Sequence, residues 1–271
     1  MKIRLRFTKT GSIRFVGHLD FMRTFQKAVK KSGLPAVYTS GFNPHMLLSF
    51  AAPLGVGEET AGDYADIEFA FRDMAPLSEH DLYRMKDIGL DNDALPLPPP
   101  VSVFCGQLNA AMPPGVRITG AARVGQTRDS KAMSLVRYAS WQLLLKDSFL
   151  SGLPAEELND MVLCFLAEDH IMIHKKTKKS EKEVDIRPMI RSMSAADLPH
   201  PGALSSEESA GVRSVLVTCS AGSSENLKPA AVMDAFCRYT CRTSDPNGFR
   251  TVRRETYNEN LETLLSLGSS F

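Results

Sequence analysis

Long hydrophobic runs, clustered cysteines and a strong net charge are all missing from this 271-residue sequence. No stretch nears the roughly 18 uncharged apolar residues that a membrane span needs, so contact with a membrane is not expected. The first seven residues alternate charged and apolar, unlike the unbroken apolar core of an export signal, and a soluble cytoplasmic protein is expected. The cysteines are Cys105, Cys164, Cys219, Cys237 and Cys241. An odd, scattered set of this kind is no disulfide framework and suits a reducing compartment. Only Cys237 and Cys241 are close, and the C-x3-C spacing reads either as half a metal site or, preferred, as two small residues one helical turn apart. There is no phosphate-binding P-loop, no G-x-G-x-x-G after a strand, no H-E-x-x-H and no G-x-S-x-G elbow. Neither a metal nor a cofactor is expected.

Charge is abundant but unevenly placed. Formal net charge is +1, yet residues 1–50 carry Lys2, Arg4, Arg6, Lys9, Arg14, Arg23, Lys27, Lys30 and Lys31 against a single acid, Asp20. Residues 51–110 reverse this, with eleven acids against Arg72, Arg84 and Lys86. A basic segment followed by an acidic one makes either a polar binding face or two stretches that neutralise each other in the fold.

Periodicity gives the outline of an α+β protein. Residues 2–8 alternate as a strand, with Ile3, Leu5 and Phe7 on one side and Lys2, Arg4 and Arg6 on the other. Thr10-Gly11-Ser12 has turn chemistry, and residues 13–16 read as a second strand completing a hairpin. Residues 18–31 have helical spacing, with Leu19, Met22, Phe25 and Val29 on one face and Arg23, Lys27, Lys30 and Lys31 on the other; Gly33 and Pro35 stop the helix. Residues 64–71 read as a strand with Ile67, Phe69 and Phe71 inward and Asp66 and Glu68 outward, and Pro76 opens a helix to about residue 88. The proline-rich stretch 95–100 is the expected domain boundary, giving an N-terminal domain at 1–95 and a C-terminal one at 101–271. In the latter, strands are expected at 116–124, 136–146, 170–175, 183–187, 212–219 and 249–254. Helices are expected at 154–168, opened by Pro154, and at 228–239. Residues 192–212, rich in Ser, Ala and Glu, read as a flexible loop. Strands alternating with single helices, without long parallel-strand runs, fit two antiparallel-sheet domains, each with helices on one face, in a ferredoxin-like arrangement.

The string Arg4-Leu5-Arg6-Phe7-Thr8-Lys9-Thr10-Gly11, with Arg14-Phe15 and His18-Leu19-Asp20, resembles the opening of the radical SAM-linked protein family. Ser40-Gly41-Phe42-Asn43-Pro44-His45 continues the likeness, followed by Leu48-Ser49-Phe50-Ala51, Pro53-Leu54, Gly57, Tyr64 and Asp66. It runs on more loosely through Val184-Asp185-Ile186-Arg187-Pro188, Ala221-Gly222-Ser223, Asn226-Leu227-Lys228-Pro229, Arg253-Arg254 and Tyr257. Gly17 stands where the family has serine and Met46 where it has proline, which leaves a hydroxyl role at position 17 without a carrier. The resemblance implies a partner, a radical SAM protein encoded beside or fused to such chains, and brings no established activity with it. This chain lacks the C-x3-C-x2-C thiolates of the radical SAM cluster, so that cluster belongs to the partner.

The candidate binding residues are Arg4, Arg6, Arg14, Arg23, Lys27, Asn43 and His45. Arginines on an open sheet face, with a basic helix face, could track an RNA backbone; equally, Asp66 and Glu68 could pair with them across neighbouring strands. In residues 41–45, Gly41 permits positive φ and Pro44 favours extended geometry at Asn43, so the loop either presents Asn43 and His45 to a ligand or partner, or serves as a rigid crossover. His18 either packs at a helix start that Asp20 caps or favours, or forms a proton-transfer pair with His45. The run Lys175-Lys176-Thr177-Lys178-Lys179 reads as a solvated hairpin tip. The leading expectation is an accessory, substrate-recognition or scaffolding protein for a radical SAM partner acting on RNA or a ribosome-associated target. The other is a metal-independent RNA-processing or RNA-modifying enzyme using His18 and His45.

Overall fold

The computed structural model describes residues 1–74, 79–127, 129–146, 153–176, 181–200, 212–243, 245 and 247–271. The chain divides into two compact units, Met1–Val136 with Tyr257–Phe271, and Arg137–Thr256.

The first unit begins with strand β1 (Lys2–Lys9). Its alternation puts Ile3, Leu5 and Phe7 in the core. The chain does not return as a hairpin. Gly11, at φ +71°, takes it into a 3-10 turn, Gly11–Phe15, a conformation that costs a glycine little. Helix α1 (His18–Lys31) follows, then the short strand β2 (Leu48–Phe50) and the long strand β3 (Glu59–Glu68). Helices α2 (Glu79–Asp87) and α3 (Val101–Ala111), strand β4 (Val116–Val124) and the one-turn helix α4 (Ala132–Leu135) complete the series. Pro76 lies outside the described residues. Strand β1 pairs antiparallel with both β3 and β4, and β2 pairs antiparallel with β3.

Helix α1 buries Phe21, Phe25, Ala28 and Val29. Phe25 and Val29 lie on the expected face and Met22 packs partly buried against it, but Phe21 joins it where Leu19 was expected, and Leu19 is left 62% exposed. The cause is aromatic packing: Phe7, Phe21, Phe25 and Phe50 form a cluster with ring centroids 5.4 to 6.0 Å apart, mostly edge to face. A second cluster explains why the unit runs past the prolines at 95–100. Phe104 of α3 sits 5.1 Å from Phe69 and 6.3 Å from Phe71, and β4 is hydrogen-bonded along β1. The C-terminal tail belongs here too, Phe271 packing edge-on to Phe104 at 5.5 Å.

The second unit contains β5 (Tyr138–Leu145), α5 (Ala155–Leu166), the hairpin β6 (Met172–Lys176) and β7 (Glu181–Asp185), β8 (Ile190–Leu198), β9 (Val212–Ser220), α6 (Pro229–Tyr239) and β10 (Phe249–Tyr257). Its main strand order is β10-β5-β9-β8. Pro154 stands at the N-cap of α5. Residues 192–198, expected in a loop, are instead part of β8, paired antiparallel to β9 from Leu198↔Val212 to Ile190↔Cys219. Met193 and Ala195 are buried, and the Ala195 N–H donates to Asn159 Oδ1 of α5 at 3.1 Å. Residues 201–211 of that expected loop, and 177–180 of the lysine-rich tip, lie outside the described residues. Among the described residues, no helix is long and apolar enough to cross a membrane.

Candidate functional site

The basic face expected of β1 is buried. Arg4 is 0% exposed, and its guanidinium donates to both carboxylate oxygens of Asp66, Nε to Oδ1 at 2.8 Å and Nη2 to Oδ2 at 3.0 Å. The remaining donors reach the carbonyls of Leu264, at 3.1 Å, and Ser130, at 2.6 Å. Asp66 Oδ2 also accepts the amide of Ala132 at 2.8 Å. Asp66 therefore points inward, and Arg4 ties β1 to β3, to the start of α4 and to the C-terminal tail. Arg6 is half-buried and donates to Thr119 Oγ1 at 3.1 Å. Arg14 lies over the Phe15 ring at 4.5 Å and donates to buried Glu59 at 3.4 Å. Arg4 is thus removed from any accessible contact surface, and Arg6 and Arg14 are tied into the unit. The acidic segment that follows the basic one neutralises it in part inside the fold.

At the far end of β1 lies a cluster that sequence reasoning missed. Lys9, 1% exposed, donates from Nζ to the Val16 carbonyl at 2.9 Å and sits 4.9 Å from the Phe21 ring centre. Burial pushes its pKa down, while Glu58 and Asp63 pull it back up. Lys9, Asp63 and His18 line a small cavity of about 10 Å³ with Phe7, Phe21 and Phe50, room for one water-sized group. His18 stacks edge-on to Phe50, ring centres 5.6 Å apart. Asp20 falls in the first turn of α1 rather than at its cap, which is Gly17; there its charge faces the positive end of the helix. Strict alternation pointed Lys9 to the core side with Phe7, but a lysine at a strand end is ordinarily taken as solvated.

Residues 41–45 are exposed throughout. Gly41 takes φ +105°, a conformation that L side chains rarely adopt. The loop is closed at its base: Thr39 N–H donates to the His45 carbonyl at 2.8 Å, His45 N–H donates to Thr39 Oγ1 at 2.9 Å, and Tyr38 bridges Met46. Met46, where the resemblance expected proline, is buried. Phe42 at the tip is fully exposed, at 111%. Phe15, Leu19 and Val56 are further large apolar groups in solvent, and Gly57 N–H is held by the Arg14 carbonyl at 2.9 Å. The outer face of α1 keeps Arg23, Lys27, Lys30 and Lys31 exposed; Arg23 pairs with Asp20 at 2.9 Å. The structure thus leaves Arg23, Lys27, Asn43 and His45 accessible and brings His18 to the buried lysine.

The thiols carry no comparable cluster. Cys219 is buried and its pKa is pushed up to about 12 by that burial, against the pull of Arg253. Cys237 is buried and Cys241 exposed. No group of three or more metal-ligating side chains occurs among the described residues.

An α+β protein, with a pinned apolar loop tip and with a half-buried histidine beside a buried lysine and aspartate in its first unit, is the class that fold and site define. The chain belongs to the family described as "Uncharacterized protein conserved in bacteria (DUF2344)", whose model matches residues 2–83 and 94–229. That description names no activity and no radical SAM link. No curated protein matches the chain.

Proposed function

We propose that this protein is an accessory, substrate-recognition or scaffolding subunit for a partner radical SAM enzyme, acting on RNA or a ribosome-associated target. The observation that carries the reading is Phe42, an aromatic side chain held wholly in solvent at the tip of a loop whose base is hydrogen-bonded shut. Exposed aromatics on rigid supports are typical anchors of protein interfaces, and Asn43 and His45 add directional contacts beside it. The radical SAM identity of the partner comes from the sequence resemblance. The exposed cations of α1, Arg23 and Lys27 with Lys30 and Lys31, are the candidates for phosphate contact, in place of the buried strand arginine.

The ferredoxin-like arrangement belongs to the same proposal. In the first unit the order β4-β1-β3 with β2 on β3, α1 between β1 and β2, and α3 between β3 and β4 supports it. In the second, β10-β5-β9-β8 with α5 after β5 and α6 before β10 supports it equally.

The cluster of Lys9, His18 and Asp63 favours one second reading, an RNA-processing or RNA-modifying enzyme, since a buried amine with lowered pKa beside a histidine can move protons. Incubation of purified protein with structured RNAs separates the two. Intact RNA supports the accessory role; cleavage or modification that His18→Ala abolishes, with the fold retained, overturns it.

A further inference from the structure

The second unit carries an open cavity of about 590 Å³ between the β6–β7 hairpin and the segment that leads into α6. That volume suits a small-molecule site. Its floor is apolar: Ile173 and Val184 face each other across the hairpin, and buried Ile186 and Leu227 extend it. Its rim is polar and cationic. Lys175 lies two residues along β6 from Ile173, on the same side of the strand, and Lys228 is the N-cap residue of α6. Ser223, Ser224 and Asn226 supply hydroxyl and amide groups between them. No acidic side chain is among the described residues that line the cavity. Glu183, on the adjacent strand, is 3.5 Å from His174, and Asp185 is taken by His170 at 2.8 Å.

We infer that this cavity binds a nucleoside monophosphate, the base on the apolar floor and the phosphate between Lys175 and Lys228. Two lysines with serine hydroxyls and the positive end of an eleven-residue helix suit a multiply charged oxyanion. A neutral apolar ligand would make no use of the polar, cationic rim, and a bare anion would leave the floor in water. The nucleotide has two sources, a free mononucleotide or the 5′-phosphorylated end of an RNA. The inference stands on the second unit alone and does not depend on the loop at Phe42.

Calorimetric titration of the full chain tests it, with AMP, GMP, CMP and UMP, the matching nucleosides, and a tetranucleotide RNA with and without its 5′-phosphate. Saturable binding of at least one mononucleotide is expected, weakened at least tenfold by Lys228→Glu or Lys175→Glu and at least tenfold without the phosphate. Binding of the 5′-phosphorylated tetranucleotide alone assigns the same site to RNA ends. Lys175 and Lys228 are exposed; an acid at position 228 suits the helix N-terminus and one at 175 faces Lys182 across the hairpin, so both variants retain the fold, checked by circular dichroism. No binding to any probe, equal binding of the nucleosides, or affinity unchanged in both charge-reversed proteins overturns the inference.

Discussion

Arg4 and Asp66 are the residues on which the first unit turns. Both are buried, and the pair shares hydrogen bonds with Leu264, Ser130 and Ala132. Removing one partner of such a pair leaves a charge stranded in a low-dielectric interior. Arg4→Met is therefore expected to lower unfolding free energy by about 3–5 kcal/mol, measured by urea denaturation. Adding Asp66→Leu recovers only part of the loss, because the Ala132 amide loses its acceptor. A second pair gives a pH signature. The hydrogen bond that the His170 ring donates to Asp185 raises the pKa of His170, and His170, followed by the amides of Arg187 and Ile171, lowers that of Asp185 to about 2. The histidine's contribution is complete below 6.5 and fades as pH rises through its raised value. The aspartate's is complete above 3.8 and fades as pH falls towards about 2. Amide-exchange protection factors at Ile171 and Arg187, whose N–H groups donate to Asp185 Oδ1, should be highest between those limits and fall on either side, and His170→Gln should flatten the profile.

At the scale of elements, helix α1 separates stability from contact. Phe25→Ala, in the aromatic cluster, is expected to cost about 3–5 kcal/mol by thermal or urea unfolding. Reversing Lys27, Lys30 and Lys31 to Glu should leave the fold intact and abolish salt-sensitive RNA binding in filter-binding assays; RNA affinity unchanged by these substitutions would show that α1 makes no phosphate contact. The bounds of α1 and β4 were legible because their periodicity is local and uninterrupted. Most of the buried face of α1 was legible too, in Met22, Phe25 and Val29; the choice between Leu19 and Phe21 was not, since both fit helical stripes until Phe7 and Phe50 are known to pack there. Strand β8 was hidden by its composition: Ser, Ala and Met at Ser192–Ala196 carry little strand propensity, and only pairing with β9 reveals them. The loop at 41–45 was legible from Gly41 and Pro44, whose backbone restrictions act without tertiary help. Pairing of Arg4 with Asp66 was one of two readings the sequence left open, and nothing local could choose between them, because the partners of Arg4 lie 62 and 260 residues away.

For the whole molecule, the contrast between a basic first segment and an acidic second one is in part an internal matter, seen in the ties of Arg4 to Asp66 and Arg14 to Glu59. Accessible among the described residues are an aromatic loop tip and a basic helix face in the first unit, and an amphipathic cavity in the second. The proline run at 95–100 suggested a division that long-range pairing does not follow, because β4 completes the sheet begun by β1 and the C-terminal tail rejoins it. The proposed role requires that Phe42 touch another protein. Replacing Phe42 with a photo-crosslinking phenylalanine analogue, irradiating in the native host and identifying the adduct tests this most directly. The account predicts an adduct with a protein bearing a C-x3-C-x2-C cluster motif, lost when His45→Ala and Asn43→Ala are added; an unreacted chain, or an adduct only with proteins lacking that motif, would contradict it.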